Sequence, residues 1–188
     1  MIGHDNVPDR PENWETNFHR GVQQTNENGV VVFYSRFPGP YPNRTVHLHV
    51  NVHGDKTCLA PDNRITGNTT LFRGQVFFDQ RLIDDITQVE PYRSQKASIL
   101  DRFYTNEADE YLPAVLARSD PMMNYFYFNG KDVTDGVISW IPIGVEMDHK
   151  EEIPDNQIAK KLGDGDYYQQ GPNPTTIPPI EPPPTGSF

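Results

Sequence analysis

The sequence predicts a mostly β fold, a β-sandwich with one or two short helices. Between residues 21 and 148, short runs of β-branched and aromatic residues alternate with turn signals made of Asn, Asp, Gly and Pro. Only one segment has the spacing of an amphipathic helix. The chain has 188 residues, which suits one domain with a hydrophobic core and is too short for two comfortable domains.

The strands are predicted from the composition and the alternation of side chains. The turn signal TNENG at residues 25–29 leads into a valine-rich run. Residues 44–53, RTVHLHVNVH, alternate with a period of two, so Val46, Leu48, Val50 and Val52 share one face. The predicted strands are residues 30–34, 44–53, 71–79, 125–128 and 137–145, the last two beside the turns at 129–130 and 135–136.

One short helix is predicted after the strand at 71–79. Asp79 is placed to cap its N-terminus, because a short acidic side chain can accept from the free backbone N–H groups of the first turn. Four apolar residues then lie on one side of the helix: Leu82, Ile83, Ile86 and Val89. Pro91 is expected to end it.

Composition divides the chain into a body and a tail. Residues 1–152 are assigned to the β-sandwich, and residues 153–188, acidic and then proline-rich, to a disordered tail. Acidic groups such as residues 107–110 are expected to be solvated surface. Cys58 is the only cysteine, so it is either a buried thiol or half of a bridge to a segment outside this sequence.

Charge and hydropathy exclude several classes of partner. The net charge of −10 argues against nucleic acid and against an anionic membrane surface. No apolar run is long enough to span a bilayer. The polar first residues, MIGHDNVPDRPENW, contain no signal peptide.

The candidate site lies on the alternating strand. His47 and His49 are two residues apart, so both imidazoles project from one face. Such a pair occurs in zinc, copper and iron sites, and also in strands that bind nothing. Tyr41 and Arg44 come shortly before it. A phenolate is a hard donor that favours ferric iron, and an arginine can offset negative charge on a bound substrate.

Several stretches together resemble the intradiol ring-cleavage dioxygenases, the family of catechol 1,2-dioxygenase and protocatechuate 3,4-dioxygenase, and most closely its fungal extracellular branch. The core of the likeness is FPGPYPNRTVHLHV at residues 37–50, preceded by GVVVF at 29–33. The other matching stretches are HRGVQ at 19–23, GQVFFD at 74–79, DVTDG at 132–136 and WIPIGV at 140–145. The likeness covers residues 17–147.

The resemblance implies a β-sandwich of the intradiol type, an extracellular location and a ferric iron, Fe(3+), as cofactor. Tyr41, His47 and His49 match three of the family's iron ligands. Arg44 matches the active-site arginine, and Gln75 a glutamine near the metal. The implied reaction is intradiol cleavage of a catechol-like substrate by O2, in phenol degradation or secondary metabolism, which gives a muconate-type diacid.

The resemblance also implies a second tyrosine ligand well upstream of Tyr41. The sequence has no tyrosine before Tyr34, so a ligand-bearing strand is expected to precede residue 1. Two other interpretations therefore stay open. One is a catalytically inactive β-sandwich remnant that binds aromatic compounds or protein. The other is a zinc- or copper-binding domain without oxygenase activity.

Overall fold

A computed structural model describes residues 21–54, 58–59, 65–66, 69–149 and 151–152. The described strands pair into small antiparallel sheets of two strands each, and three short α-helices connect them. The result is a small, sheet-rich fold. The described pairings do not close into the two stacked sheets of a sandwich.

The central hairpin is formed by β1 (His47–Val52) and β5 (Phe72–Phe77). Their antiparallel register places His47 opposite Phe77 and His49 opposite Gln75. Directly opposed residues in an antiparallel pair project from the same face of the sheet. The pairing therefore places Gln75 beside His49, and it confirms the strands expected at 44–53 and 71–79.

The core lies between this hairpin and α1 (Gln80–Ile86). As predicted, the side chain of Asp79 caps the helix by accepting from the backbone N–H of Arg81 at 2.8 Å. Leu82 and Ile83 are fully buried. Five buried residues form the core cluster: Val46, Phe78, Leu82, Ile83 and Ile86.

A second hairpin, β6 (Asn124–Tyr127) and β7 (Val137–Trp140), covers another side of the core. Gly130 and Gly136 in its connection both have positive φ, which glycine adopts without steric cost. The segment before β6 joins the central hairpin, because Phe77 donates to Pro121 O and accepts from Met123 N. Both predicted strands are confirmed, and the second ends at Trp140 rather than at residue 145.

The remaining strands have two residues each. They are β2 (Cys58–Leu59), β3 (Ile65–Thr66), β4 (Thr69–Thr70) and β8 (Glu151–Glu152). β2 pairs with β3, and β4 pairs with β8.

The strand expected at residues 30–34 is not formed. The turn before it is confirmed, since Asn26 accepts from Val30 N through its side chain and Gly29 has a φ of 74°. Beyond the turn, the five residues belong to no helix or strand, and their exposed fractions run from 39% to 65%. A high β-propensity shows that a run fits a sheet, but only a neighbouring strand can supply the hydrogen bonds.

The helices also differ from the prediction. α1 ends at Ile86, and Pro91 precedes α2 (Tyr92–Ser98) instead of ending a helix. A third helix, α3 (Leu112–Leu116), has its proline in the first turn. Backbone N–H groups in the first turn of a helix have no partner within the helix, so proline, which has no N–H, is tolerated there. Both prolines therefore lie where a helix begins. Short 3₁₀ turns at Leu100–Arg102 and Val133–Asp135 complete the described elements.

Some predictions concern residues that lie outside the described part of the chain. These are the N-terminal stretch up to residue 20, the tail at 153–188, and the side chain of Cys58. Among the described residues, none of the helices combines the length and the apolar character needed to cross a membrane.

Candidate metal centre

A tight turn brings Tyr41 and Arg44 next to each other. The two residues form an antiparallel bridge across Pro42 and Asn43. Asn43 has a φ of 65°, and its backbone N–H donates to Arg102 O at 2.8 Å. Proline followed by asparagine suits a turn whose second central residue has positive φ. The chain then enters β1 through two buried residues, Thr45 and Val46.

Three potential donor atoms lie beside β1, with His47 Nε2 close to each of the other two. The Tyr41 hydroxyl oxygen lies 3.0 Å from His47 Nε2, and His47 Nε2 lies 3.2 Å from His49 Nε2. We call Tyr41, His47 and His49 the ligand triad. His47 is 7% exposed, and His49 is half-buried.

The tautomer of His47 follows from its other nitrogen. Nδ1 lies 2.7 Å from the carbonyl oxygen of Thr45 and must donate to it. In the neutral ring, Nε2 then carries the lone pair and faces the other two triad atoms. Metal-bound histidines are commonly oriented by this kind of hydrogen bond to a backbone carbonyl.

The triad fits a metal ion on the chemistry of its donors. Without an ion, the single lone pair of His47 Nε2 is approached by both the Tyr41 hydroxyl and His49 Nε2. A cation bound at His47 Nε2 would remove this competition for one lone pair. Nitrogens 3.2 Å apart can both reach an ion at the usual metal–nitrogen length of about 2.0–2.1 Å. Phenolate oxygen and imidazole nitrogen both suit iron.

Burial at the triad disfavours the ionised forms of Tyr41 and His47. Burial raises the pKa of the Tyr41 phenol, although the adjacent Arg44 guanidinium acts in the opposite direction. Burial lowers the pKa of His47, which keeps its ring neutral and able to donate a lone pair. A bound cation is the kind of charge that would allow the Tyr41 oxygen to lose its proton.

Arg44 is held at the edge of the triad by three neighbours. Its Nε donates to Asp109 Oδ2 at 2.8 Å, and its Nη2 donates to Gln75 Oε1 at 2.6 Å. The ring of Tyr111 lies against the guanidinium, 4.4 Å from Cζ to the ring centroid. The hydrogen bonds to Asp109 and Gln75 are made by Nε and Nη2 of Arg44, and Nη1 takes part in none of them.

Asp109 corrects the expectation that residues 107–110 are solvated surface. Its side chain is fully buried, and besides Arg44 it accepts from the backbone N–H groups of Thr45, Tyr111 and Leu112 at 2.9–3.0 Å. Burial acts to raise the pKa of Asp109, but these hydrogen bonds outweigh it and hold the pKa below its ordinary value. Its neighbours Glu107 and Glu110 are exposed, as expected. Two of the partners of Asp109, Tyr111 and Leu112, are close in the sequence, but Arg44 and Thr45 lie more than sixty positions away.

Asn106 fixes the same loop to the strand. Its Oδ1 accepts from the Thr45 hydroxyl at 2.6 Å, and its Nδ2 donates to Phe78 O at 2.9 Å. The loop that carries Asp109 is therefore attached to the chain on both strands' sides at one end of the central hairpin, just before β1 and just after β5. The sequence gives no signal for this role of Asn106.

The structure brings together the five residues singled out from the sequence: Tyr41, Arg44, His47, His49 and Gln75. Their roles as ligands and catalytic groups remain predictions. Tyr34, the other tyrosine near the N-terminus, is 65% exposed and lies outside the described helices and strands. Across the described ranges, no cluster of three or more His, Cys, Asp or Glu side chains is placed to hold a metal. The ligand triad contains only two residues of these four types, His47 and His49, and its third donor is the tyrosine Tyr41.

Comparison of the chain with protein-family models, with curated proteins and with solved structures found no match in any of the three.

Proposed function

We propose that the chain is a non-haem iron(III) dioxygenase that cleaves a catechol-like aromatic diol by the intradiol route. The observation that carries the proposal is the ligand triad, in which the Tyr41 hydroxyl oxygen and His49 Nε2 lie 3.0 Å and 3.2 Å from His47 Nε2. The matching intradiol motif in the sequence supports the choice of iron over other metals that the same donors can bind.

The substrate class follows from the charges around the triad. Arg44 carries a guanidinium and lies beside Tyr41. A diol that binds next to the triad as an anion would meet this guanidinium. Gln75 and Asp109 fix the orientation of the guanidinium, so little reorganisation is needed when negative charge develops on the substrate.

In the proposed reaction, the ring bond between the two hydroxyl-bearing carbons breaks, and both atoms of O2 enter the diacid product. The substrate supplies the electrons, so no external reductant is needed. Ferric iron, when bound, makes the bound diol reactive toward dioxygen. The chain supplies position, charge and a proton site, since the Tyr41 oxygen can hold a proton that a diol hydroxyl releases.

Two further features are part of the proposal. We infer that the small sheets belong to a β-sandwich of the intradiol type, because the β1–β5 and β6–β7 hairpins pack on one shared core. We also infer an extracellular protein, which rests on the likeness of the sequence to the secreted branch of the family.

The test is to purify the protein without an affinity tag, load it with ferric iron and measure three quantities. These are bound metal, visible absorbance from a tyrosinate–iron(III) pair, and oxygen uptake with catechol, hydroxyquinol and protocatechuate. Products made under isotopically labelled O2 should carry the label in both carboxyl groups. The His47→Ala variant serves as the metal-free reference.

Each outcome separates the candidates. Iron, colour and labelled diacid together support the dioxygenase. Preferential binding of zinc or copper with no oxygen uptake would support the metal-binding alternative. A protein that binds no metal at all would support the inactive remnant.

A further inference from the structure

Asp109 places a full negative charge inside the protein, next to the candidate site. Its side chain has no exposed surface, and the side chain of Arg44 is 12% exposed. Burying a charged pair costs desolvation energy, which good geometry and further hydrogen bonds must offset. Asp109 has both, because its two oxygens accept from Arg44 and from three backbone N–H groups.

The backbone contacts connect Asp109 to two parts of the site. Thr45 N–H belongs to the segment between Arg44 and the ligand His47, and it donates to the same oxygen as Arg44 Nε. Tyr111 and Leu112 donate to the other oxygen from the start of α3. The Asp109 carboxylate therefore has a fixed position relative to β1. The edge of the Arg44 guanidinium that is bonded to this carboxylate is fixed as well.

Tyr111 restrains the same guanidinium from a different direction. Its ring stands 4.4 Å from Arg44 Cζ, while Asp109 and Gln75 bond to nitrogens of the guanidinium. Tyr111 is itself 51% exposed, so it can be replaced without opening the core. Asp109 and Tyr111 are separated by one residue. Asp109 contacts the edge of the Arg44 guanidinium, and the Tyr111 ring contacts its face.

We propose that Asp109 and Tyr111 form a positioning clamp that holds the Arg44 guanidinium toward the ligand triad. This inference rests on the proposed function, because the clamp serves an arginine that stabilises charge on a bound diol. Neither residue needs to touch the substrate. Their effect on turnover passes through Arg44.

The first test measures the clamp without metal or substrate. Phenylglyoxal modifies accessible, mobile arginines, and peptide mass spectrometry gives the rate for each arginine. Asp109→Asn should speed modification of Arg44 by about tenfold or more, the factor expected for loss of one hydrogen bond to a charged group. Tyr111→Leu should speed it about two- to fivefold, as loss of an exposed cation–π contact predicts. Tyr111→Phe keeps the ring and should restore the wild-type rate at Arg44.

Internal and matched controls separate the clamp from general loosening. Arg81 and Arg118 are exposed, so their modification rates should not change in any variant. Asp132→Asn is the matched control, because Asp132 also accepts from a backbone N–H, that of Thr134, on a distant hairpin. An unchanged rate at Arg44 in Asp109→Asn would overturn the proposal. Equal acceleration at Arg81 would also overturn it, because it would show a structural role only.

The second test uses turnover of the iron-loaded protein. Asp109→Asn should lower kcat by about tenfold or more and leave KM within about twofold, since the affected interaction strengthens in the transition state. In an Arg44→Gln background, adding Asp109→Asn should cause no further loss, because coupled residues are not additive. An independent loss in that background would overturn the proposal.

The two tests also separate failure of the clamp from failure of the proposed function. If the wild-type protein binds no iron and consumes no oxygen with any diol, the proposed function fails, and the modification rates still decide the clamp. If Asp109→Asn does not fold, Tyr111→Leu and Tyr111→Phe decide it by the same measurement. Equal Arg44 rates in those two variants would overturn the proposal.

Discussion

The side chains of His47 and His49 project from the same face of β1, and their Nε2 atoms lie 3.2 Å apart. The ring of His47 is oriented by the hydrogen bond from Nδ1 to the Thr45 carbonyl. His49 stands opposite Gln75, which bonds Arg44. One antiparallel pair of strands thus connects the candidate ligands to the candidate charge-stabilising group.

We expect His47→Ala or His49→Ala to remove most of the bound iron. Loss of a ligand should weaken binding by more than the roughly 10- to 100-fold that loss of an outer hydrogen-bond partner costs. Metal content after loading and dialysis is the measurement. His149→Ala is the control, since His149 is exposed. Full iron occupancy in either triad variant would contradict the assignment.

Arg44→Lys should keep the iron and lose turnover. Lysine retains the positive charge but lacks the planar guanidinium, whose separate nitrogens bond Asp109 and Gln75 at the same time. We expect kcat/KM to fall by about 10- to 100-fold, with iron content unchanged. Steady-state oxygen uptake and metal analysis of the same samples check both parts. Unchanged kcat/KM would show that the arginine is only structural.

Asn43→Ala should destabilise the protein, while Asn43→Gly should not. Asn43 has a φ of 65° in the turn that joins Tyr41 to Arg44. Alanine in that conformation costs about 1–2 kcal/mol, and glycine adopts it freely. Urea denaturation of both variants gives the comparison, and both lose the same asparagine side chain. Equal unfolding free energies would mean that the turn conformation does not matter.

Ile83→Ala should lower the free energy of unfolding by about 2–5 kcal/mol. Ile83 lies on α1, and its side chain is fully buried in the core cluster. Leu116→Ala, at a side chain that is 50% exposed, should change it by less than about 0.5 kcal/mol. Chemical denaturation measures both. Similar effects of the two variants would show that α1 does not pack as described.

The hydrogen bond from Tyr127 to Asp85 predicts a stability contribution that depends on pH. The hydroxyl donates to the carboxylate at 2.5 Å, and this bond raises the pKa of Tyr127 to about 12. A phenol whose pKa is raised on folding stabilises the protein below its unfolded pKa of about 10, and this contribution is lost as the pH rises through the folded value.

Wild-type protein should therefore exceed Tyr127→Phe in stability by a constant amount between about pH 7 and 9, and the difference should vanish between about pH 10 and 12. Denaturation midpoints across this range provide the test. Asp85→Asn, which removes the charge of the same pair, should lose the same pH dependence. A wild-type advantage that persists to pH 12 would contradict the coupling.

The local structure near the site could be predicted because its causes are local. The alternation in residues 44–53 predicts which face of β1 carries both histidines, and the structure places their nitrogens on one side. The cap at Asp79 and the turn at Asn26–Gly29 depend on neighbours within a few residues. Short-range hydrogen bonds and side-chain periodicity depend only on residues that are close together in the sequence.

The sequence by itself therefore determined the candidate donors, the turn at residues 26–29 and the strands that form the two main hairpins. Tertiary structure decided the rest. Residues 30–34 have strand composition but no described strand to pair with. Asp109 looks like an ordinary surface acid until Arg44 and Thr45, more than sixty positions away, join its two nearby backbone donors. Strand pairing and burial of a charge both depend on groups brought together by the whole fold, and no window of neighbouring residues contains them.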